Sequence, residues 1–128
     1  MQKLAEAAAR VRANAYAPHS GFRVGAAILA ADGSVFTGVN VENSSYGLTI
    51  CAERTAVCTA VTAGARSFRA VAVASSGGHA PCGACRQFLS EFGDHLTVVL
   101  VDSDGRQESR QTTIGELLPN SFRLRGDG

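Results

Sequence analysis

Three cysteines set the tightest limit on how this chain can fold. Cys82 and Cys85 stand three residues apart in Pro81-Cys-Gly-Ala-Cys85, while Cys51 opens Cys51-Ala-Glu53 well upstream. Residues three apart share a helix face, so Cys82 and Cys85 can grip one ion. A third thiolate from Cys51 requires a fold that carries two distant segments to one point. Three protein ligands leave one tetrahedral corner open to water, the pattern of catalytic rather than structural zinc.

The rest of the chain predicts how the segments meet. Of its 128 residues, 45% are hydrophobic and 18% charged, which suits one folded domain over 1–128. Helical character is read at 3–16 (Leu4, Ala7, Ala8, Val11 and Ala15 on one stripe), 50–62, 82–92 and 114–118. Apolar, β-branched runs at 23–31 and 34–41 read as strands, 69–74 and 97–102 as short buried strands, and 107–113 as a strand by its place after a hairpin turn. Asp32-Gly33 predicts a tight hairpin with positive φ at both residues, and Asp104-Gly105 a second hairpin. Residues from about 123 to 128 are expected to form a flexible tail. Strands alternating with helices imply crossovers, and the hairpins add antiparallel edges. The expected architecture is α/β, a mixed five-stranded sheet with helices on both faces.

Charge narrows the partners. Lys and Arg number 12 against 11 Asp and Glu, with no basic cluster, so neither a nucleic-acid polymer nor an anionic membrane is expected as a partner. A small soluble substrate fits better. Lys3, Glu6, Arg10 and Arg12 interrupt any signal-peptide core, and no run reaches the length of a membrane span. A reducing cytoplasm is the expected location, and its cysteines are expected as ligands or buried thiols. Cys58 is expected to pack in the core.

Both ligand segments are placed to open helices, with Thr49 as a possible cap for the first and Pro81 in the first turn of the second. Helix starts carry partial positive charge and unpaired N–H groups, which favour thiolates. Zinc with three thiolates is net negative, so Arg54 or Arg86 is expected to donate a hydrogen bond to sulfur. Glu53 lies about 200° around a helix from Cys51, a spacing that suits two jobs at a helix end better than two ligands, and is expected as a proton shuttle for the metal-bound water. Two alternatives stay open: a closed structural site completed by His79, His19 or His95, and a dithiol redox pair.

The pairing of Cys51-Ala-Glu53 with Pro81-Cys-Gly-Ala-Cys85 is a known signature of zinc deaminases, including an all-Cys variant. Together with Asn40-Val-Glu-Asn43, Ser45-Tyr-Gly-Leu-Thr-Ile-Cys-Ala-Glu-Arg54, Phe22-Arg-Val-Gly-Ala26 and Leu117-Leu-Pro-Asn-Ser-Phe122, it resembles the small homotetrameric cytidine deaminases of pyrimidine salvage. The resemblance implies their three-layer α/β/α fold and zinc-dependent deamination of cytidine and 2′-deoxycytidine. It implies zinc ligation by Cys51, Cys82 and Cys85, proton transfer by Glu53 and charge compensation by Arg54. It further implies a ribose-binding pair in Asn40 and Glu42, base packing by Phe22 and a base hydrogen bond from the Ala52 backbone. Tyr46 and Phe122 would enter sites of neighbouring subunits; from this sequence alone, either aromatic could equally be core. His19 departs from the family, standing where relatives commonly have Tyr, and the Ser75–Ala80 loop is unusually Gly-rich.

Overall fold

Every apolar, β-branched run enters one sheet. The computed structural model describes residues 1–124. Its elements are α1 (Gln2–Val11), β1 (Gly25–Ala30), β2 (Val35–Val39), α2 (Ala52–Thr62), β3 (Phe68–Ser75), α3 (Gly83–Ser90), β4 (Thr97–Asp102), β5 (Arg110–Thr113) and α4 (Ile114–Leu117), with 3₁₀ turns at Arg12–Asn14 and Tyr46–Leu48. The strand order is β2-β1-β3-β4-β5. Only β3 and β4 run parallel, from Ala70 opposite Thr97 to Ser75 opposite Asp102. The other three pairings are antiparallel. The mixed five-stranded sheet is as expected, with its parallel part confined to one junction.

The layers follow from the two-residue period of a strand. On one face, Ala27, Ala70, Ala72, Ala74 and Val99 meet Leu4 and Ala8 of α1. On the other, Ile28, Val71, Val73, Val98 and Leu100 meet Ala56, Val57 and Ala60 of α2, Leu89 of α3 and Ile114 of α4. Small residues let α1 lie close. The bulkier face builds the thicker core, where each fully buried Val or Ile stabilises by about 1.5–3 kcal/mol relative to exposure. At Gly38 of β2, an added Cβ would meet the Ala52 carbonyl oxygen at 2.8 Å. Glycine there lets the first turn of α2 press against the sheet, which fixes where Cys51 and Glu53 begin.

Several boundaries differ from the expectations. The first helix ends at Val11 and tightens into a 3₁₀ turn instead of running to residue 16. The first hairpin has positive φ at Gly33 (95°) but not at Asp32. Gly33 donates to Ala30 O, Ala30 to Ser34 O, and Asp32 Oδ1 accepts from Ser34 N–H. Aspartate thus works through its side chain, and glycine alone supplies the left-handed residue. The second hairpin is no tight turn, since β5 starts only at Arg110. The Asp102 carboxylate instead organises the connection, accepting from the backbone N–H groups of Asp104 and Arg106. Cys58 is exposed, not packed in the core. The buried face of α2 runs through Ala52, Glu53, Ala56, Val57 and Ala60, and position 58 turns off it. Within the segment expected to be a tail, Arg123 pairs with Asp94 at 3.2 Å, and residues 125–128 lie outside the described residues.

Candidate metal centre and active-site cavity

Cys51 and Cys82 are the N-cap residues of α2 and α3, both with extended backbone (φ −76°, ψ 154° and φ −67°, ψ 170°) and neither with a side-chain cap bond. Their position places both cysteines at the positive ends of two helices. Cys85 lies in the first turn of α3 and is fully buried. The three sulfurs lie within 4.8 Å of one another, with Cys51 and Cys82 at 3.9 Å. Sulfurs held at about 2.3 Å by a tetrahedral zinc ion would stand roughly 3.8 Å apart. The donor set therefore fits zinc in type and spacing. No histidine joins this cluster among the described residues.

The caps expected from sequence are elsewhere. Thr49 Oγ1 accepts from Asn43 N–H at 3.1 Å. Pro81 precedes α3 by two residues, and its carbonyl accepts from Arg86 Nε at 2.8 Å. Arg86 also donates to Leu117 O at 2.9 Å, tying α3 to α4 and not to sulfur. Arg54 does turn inward, with Nη2 3.6 Å from Cys51 Sγ. Its Nε is buried without a partner.

Charge is unevenly shared among these groups. The Cys51 thiol is brought down to about 5, first by a hydrogen bond from Cys85, against the cost of burial, and then by Arg54 and Cys82. Cys85, the donor in that pair and more deeply buried, is pushed up. The Arg54 guanidinium is raised by its hydrogen bond to Cys51. Glu53 is only 4% exposed. Burial pushes its carboxyl up to about 7, with the neighbouring Cys51 charge adding to the rise. Near neutral pH such a group can both hold and give up a proton.

A cavity of about 210 Å³ brings Cys51, Glu53 and Cys82 together with Phe22, Asn40 and His79. His79, on the Gly-rich loop, has its ring centroid 6.0 Å from that of Phe22. That loop is tied to the end of β4, since Gly77 N–H donates to Asp102 Oδ1 and His79 N–H to Ser75 Oγ. Glu42 and Tyr46 line an adjoining cavity of about 310 Å³, which shares Thr49 with the first. Ala52 is buried as the first residue of α2, beside Cys51. Tyr46 and Phe122 are 77% and 66% exposed, so neither is core.

Asn40 and Glu42 both face the segment 19–24. Asn40 Nδ2 donates to Phe22 O at 2.8 Å, and its Oδ1 accepts from Val24 N–H at 2.9 Å. Glu42 Oε1 accepts from the N–H groups of His19 and Ser20 at 2.9 and 3.1 Å. Its Oε2 accepts from the Ser20 hydroxyl. Sequence reasoning gave Ser20 no role at the site, although Ser commonly closes a side-chain turn onto the backbone two residues on. Its Oγ accepts from Phe22 N–H at 3.0 Å.

Comparison with known proteins agrees with this geometry. The family model for the cytidine and deoxycytidylate deaminase zinc-binding region matches residues 1–101. The chain is 50% identical over 125 residues to a probable cytidine deaminase of Dictyostelium discoideum, covering 95% of this chain and 83% of that protein. It is 46% identical over 125 residues to a cytidine deaminase of Sporosarcina psychrophila, covering 95% and 90%. Among solved structures it is similar to the cytidine deaminase from Burkholderia pseudomallei, with a TM-score of 0.89 and 51% identity over 94% of this chain and 98% of that one.

Proposed function

Because this chain belongs to the zinc-binding cytidine and deoxycytidylate deaminase family, we propose that it hydrolyses cytidine and 2′-deoxycytidine to uridine and 2′-deoxyuridine, releasing ammonia. The observation that carries the reading is a cluster of three cysteine sulfurs within 4.8 Å of one another, two of which, Cys51 and Cys82, line one cavity with the buried carboxyl of Glu53.

Cys51, Cys82 and Cys85 would hold the zinc ion, which when bound supplies the Lewis acid that activates water at neutral pH. Arg54 offsets thiolate charge through its contact with Cys51. Glu53 accepts the proton of the attacking water and passes it to N3 of the pyrimidine as oxygen adds at C4; it then takes the proton of the new C4 hydroxyl and delivers it to the amine, which leaves as ammonia as the C4–N bond breaks and the carbonyl forms. Its raised carboxyl pKa suits both directions of transfer. Phe22 packs on the pyrimidine, the Ala52 backbone hydrogen bonds the base, and Asn40 and Glu42 bind sugar hydroxyls. A paired amide and carboxylate matched to sugar hydroxyls favours a free nucleoside over ligands that lack them.

The exposed rings of Tyr46 and Phe122 support a homotetramer in which each enters a neighbouring copy's site. The whole chain acts as one domain, in the cytoplasm, in pyrimidine salvage; none of its described helices is long and apolar enough to cross a membrane. The test is an ultraviolet assay of cytidine on zinc-loaded protein beside a chelated control. Turnover by the loaded form alone is expected, and an inert zinc-loaded protein would overturn the reading.

A further inference from the structure

We infer that Ser20 is a positioning residue for sugar recognition, acting through Glu42. The inference rests on the deaminase reading and goes beyond it, because Ser20 itself is given no contact with the nucleoside.

A carboxylate offers about four lone-pair directions. In Glu42, Oε1 accepts two backbone N–H groups, from His19 and Ser20. Oε2 accepts the Ser20 hydroxyl. One acceptor direction remains, and it lies on Oε2, the oxygen that Ser20 orients. The same hydroxyl oxygen accepts Phe22 N–H, so its proton is directed to Glu42. Hydrogen bonding, first that of the Ser20 side chain, holds the Glu42 carboxyl below the usual carboxylate range. It is therefore an ionised acceptor at neutral pH, suited to a sugar hydroxyl donor. Asn40 clamps the other side of the same segment through Phe22 O and Val24 N–H. Without the Ser20 hydroxyl, Oε2 loses the partner that fixes its free acceptor direction, and the carboxylate is held only through Oε1 by two backbone N–H groups. Binding of the hydroxyl donor would then have to bear the cost of ordering it.

The experiment compares Ser20→Ala and Ser20→Thr with the unmodified zinc-loaded protein. Steady-state kinetics use cytidine and 2′,3′-dideoxycytidine, which lacks both ring hydroxyls, and calorimetry gives the Kd of the product uridine. Ser20→Ala is expected to raise KM for cytidine and Kd for uridine about tenfold, the scale of one charged hydrogen bond. Its kcat should stay within about twofold, and KM for the dideoxy substrate should not move. Ser20→Thr, which keeps a hydroxyl, should recover most of the affinity. Equal rises for both substrates, or no change with cytidine, would overturn the positioning role. If the unmodified protein turns over cytidine while Ser20→Ala is unaffected, only this inference fails. If the unmodified protein is inert, the deaminase reading fails first and takes the inference with it.

Discussion

At one end of the two adjoining cavities, Cys51 and Cys82 stand at the starts of two helices packed on the sheet, with Cys85 and Glu53 in the first turns. At the other, Asn40 and Glu42 lie beyond the end of β2 and reach their places by clasping residues 19–24 with their side chains. The first end is held by backbone geometry and core packing, and its reactive groups remain free for a metal and a proton. The second is held by the very groups proposed to bind the sugar. Chemistry at the metal end should therefore be separable from folding, whereas at the sugar end recognition and local stability should change together.

The strongest challenge to this contrast is Cys82→Ala. Cys82 is exposed, so its loss leaves no cavity in the core. Zinc content by metal analysis should fall below about a tenth of stoichiometric, with deamination lost and the urea midpoint of the metal-free protein nearly unchanged. Full zinc retention would break the ligand assignment. Glu53→Gln should keep both zinc and fold while kcat drops by roughly 10²–10⁴, the usual reach of general acid–base catalysis; substantial remaining activity would remove Glu53 from the mechanism. Arg54→Gln should weaken zinc binding about 10- to 100-fold in a chelator competition, as expected when a hydrogen bond to a ligating sulfur is removed.

The sugar end should behave differently. Asn40→Ala strands the Val24 N–H and the Phe22 carbonyl. It should cost about 1–3 kcal/mol in urea unfolding, together with a higher KM for cytidine. A change in KM with unaltered stability would show that the clasp is not structural. The smallest effect is in acid. Asp102 is held below its ordinary carboxyl pKa by backbone N–H groups, Gly77 first. Its contribution is full above the unfolded-state pKa and is lost as pH falls through the lower folded one. The unfolding midpoint of Asp102→Asn should therefore approach that of the unmodified protein as pH drops from 5 toward 3. A gap that persists in acid would sink this assignment.

Legibility divided along the same line. The central strands were readable because both faces of the sheet are buried there, which makes residues 70–74 of β3 and 98–101 of β4 continuous apolar runs. The metal end was readable because its residues sit at fixed local offsets: Cys51 to Glu53, Cys82 to Cys85. Local reading failed where a polar side chain chose a partner outside its own element. Thr49 bonds Asn43 rather than capping α2, and Arg86 bonds Leu117 rather than a sulfur. It failed also at Cys58, where helix phase decides burial and an apolar-looking cysteine faces out.

The amino-acid order alone determined which residues could bind a metal and relay protons, since helix starts and three-residue spacing are short-range properties of the backbone. Only the tertiary structure decided which loop the sugar-binding side chains clasp, and that Ser20 takes part. Ser20 and Glu42 are separated by 22 positions along the chain. Their meeting depends on strand register and loop path, which are set by packing across the whole sheet and by no local pattern.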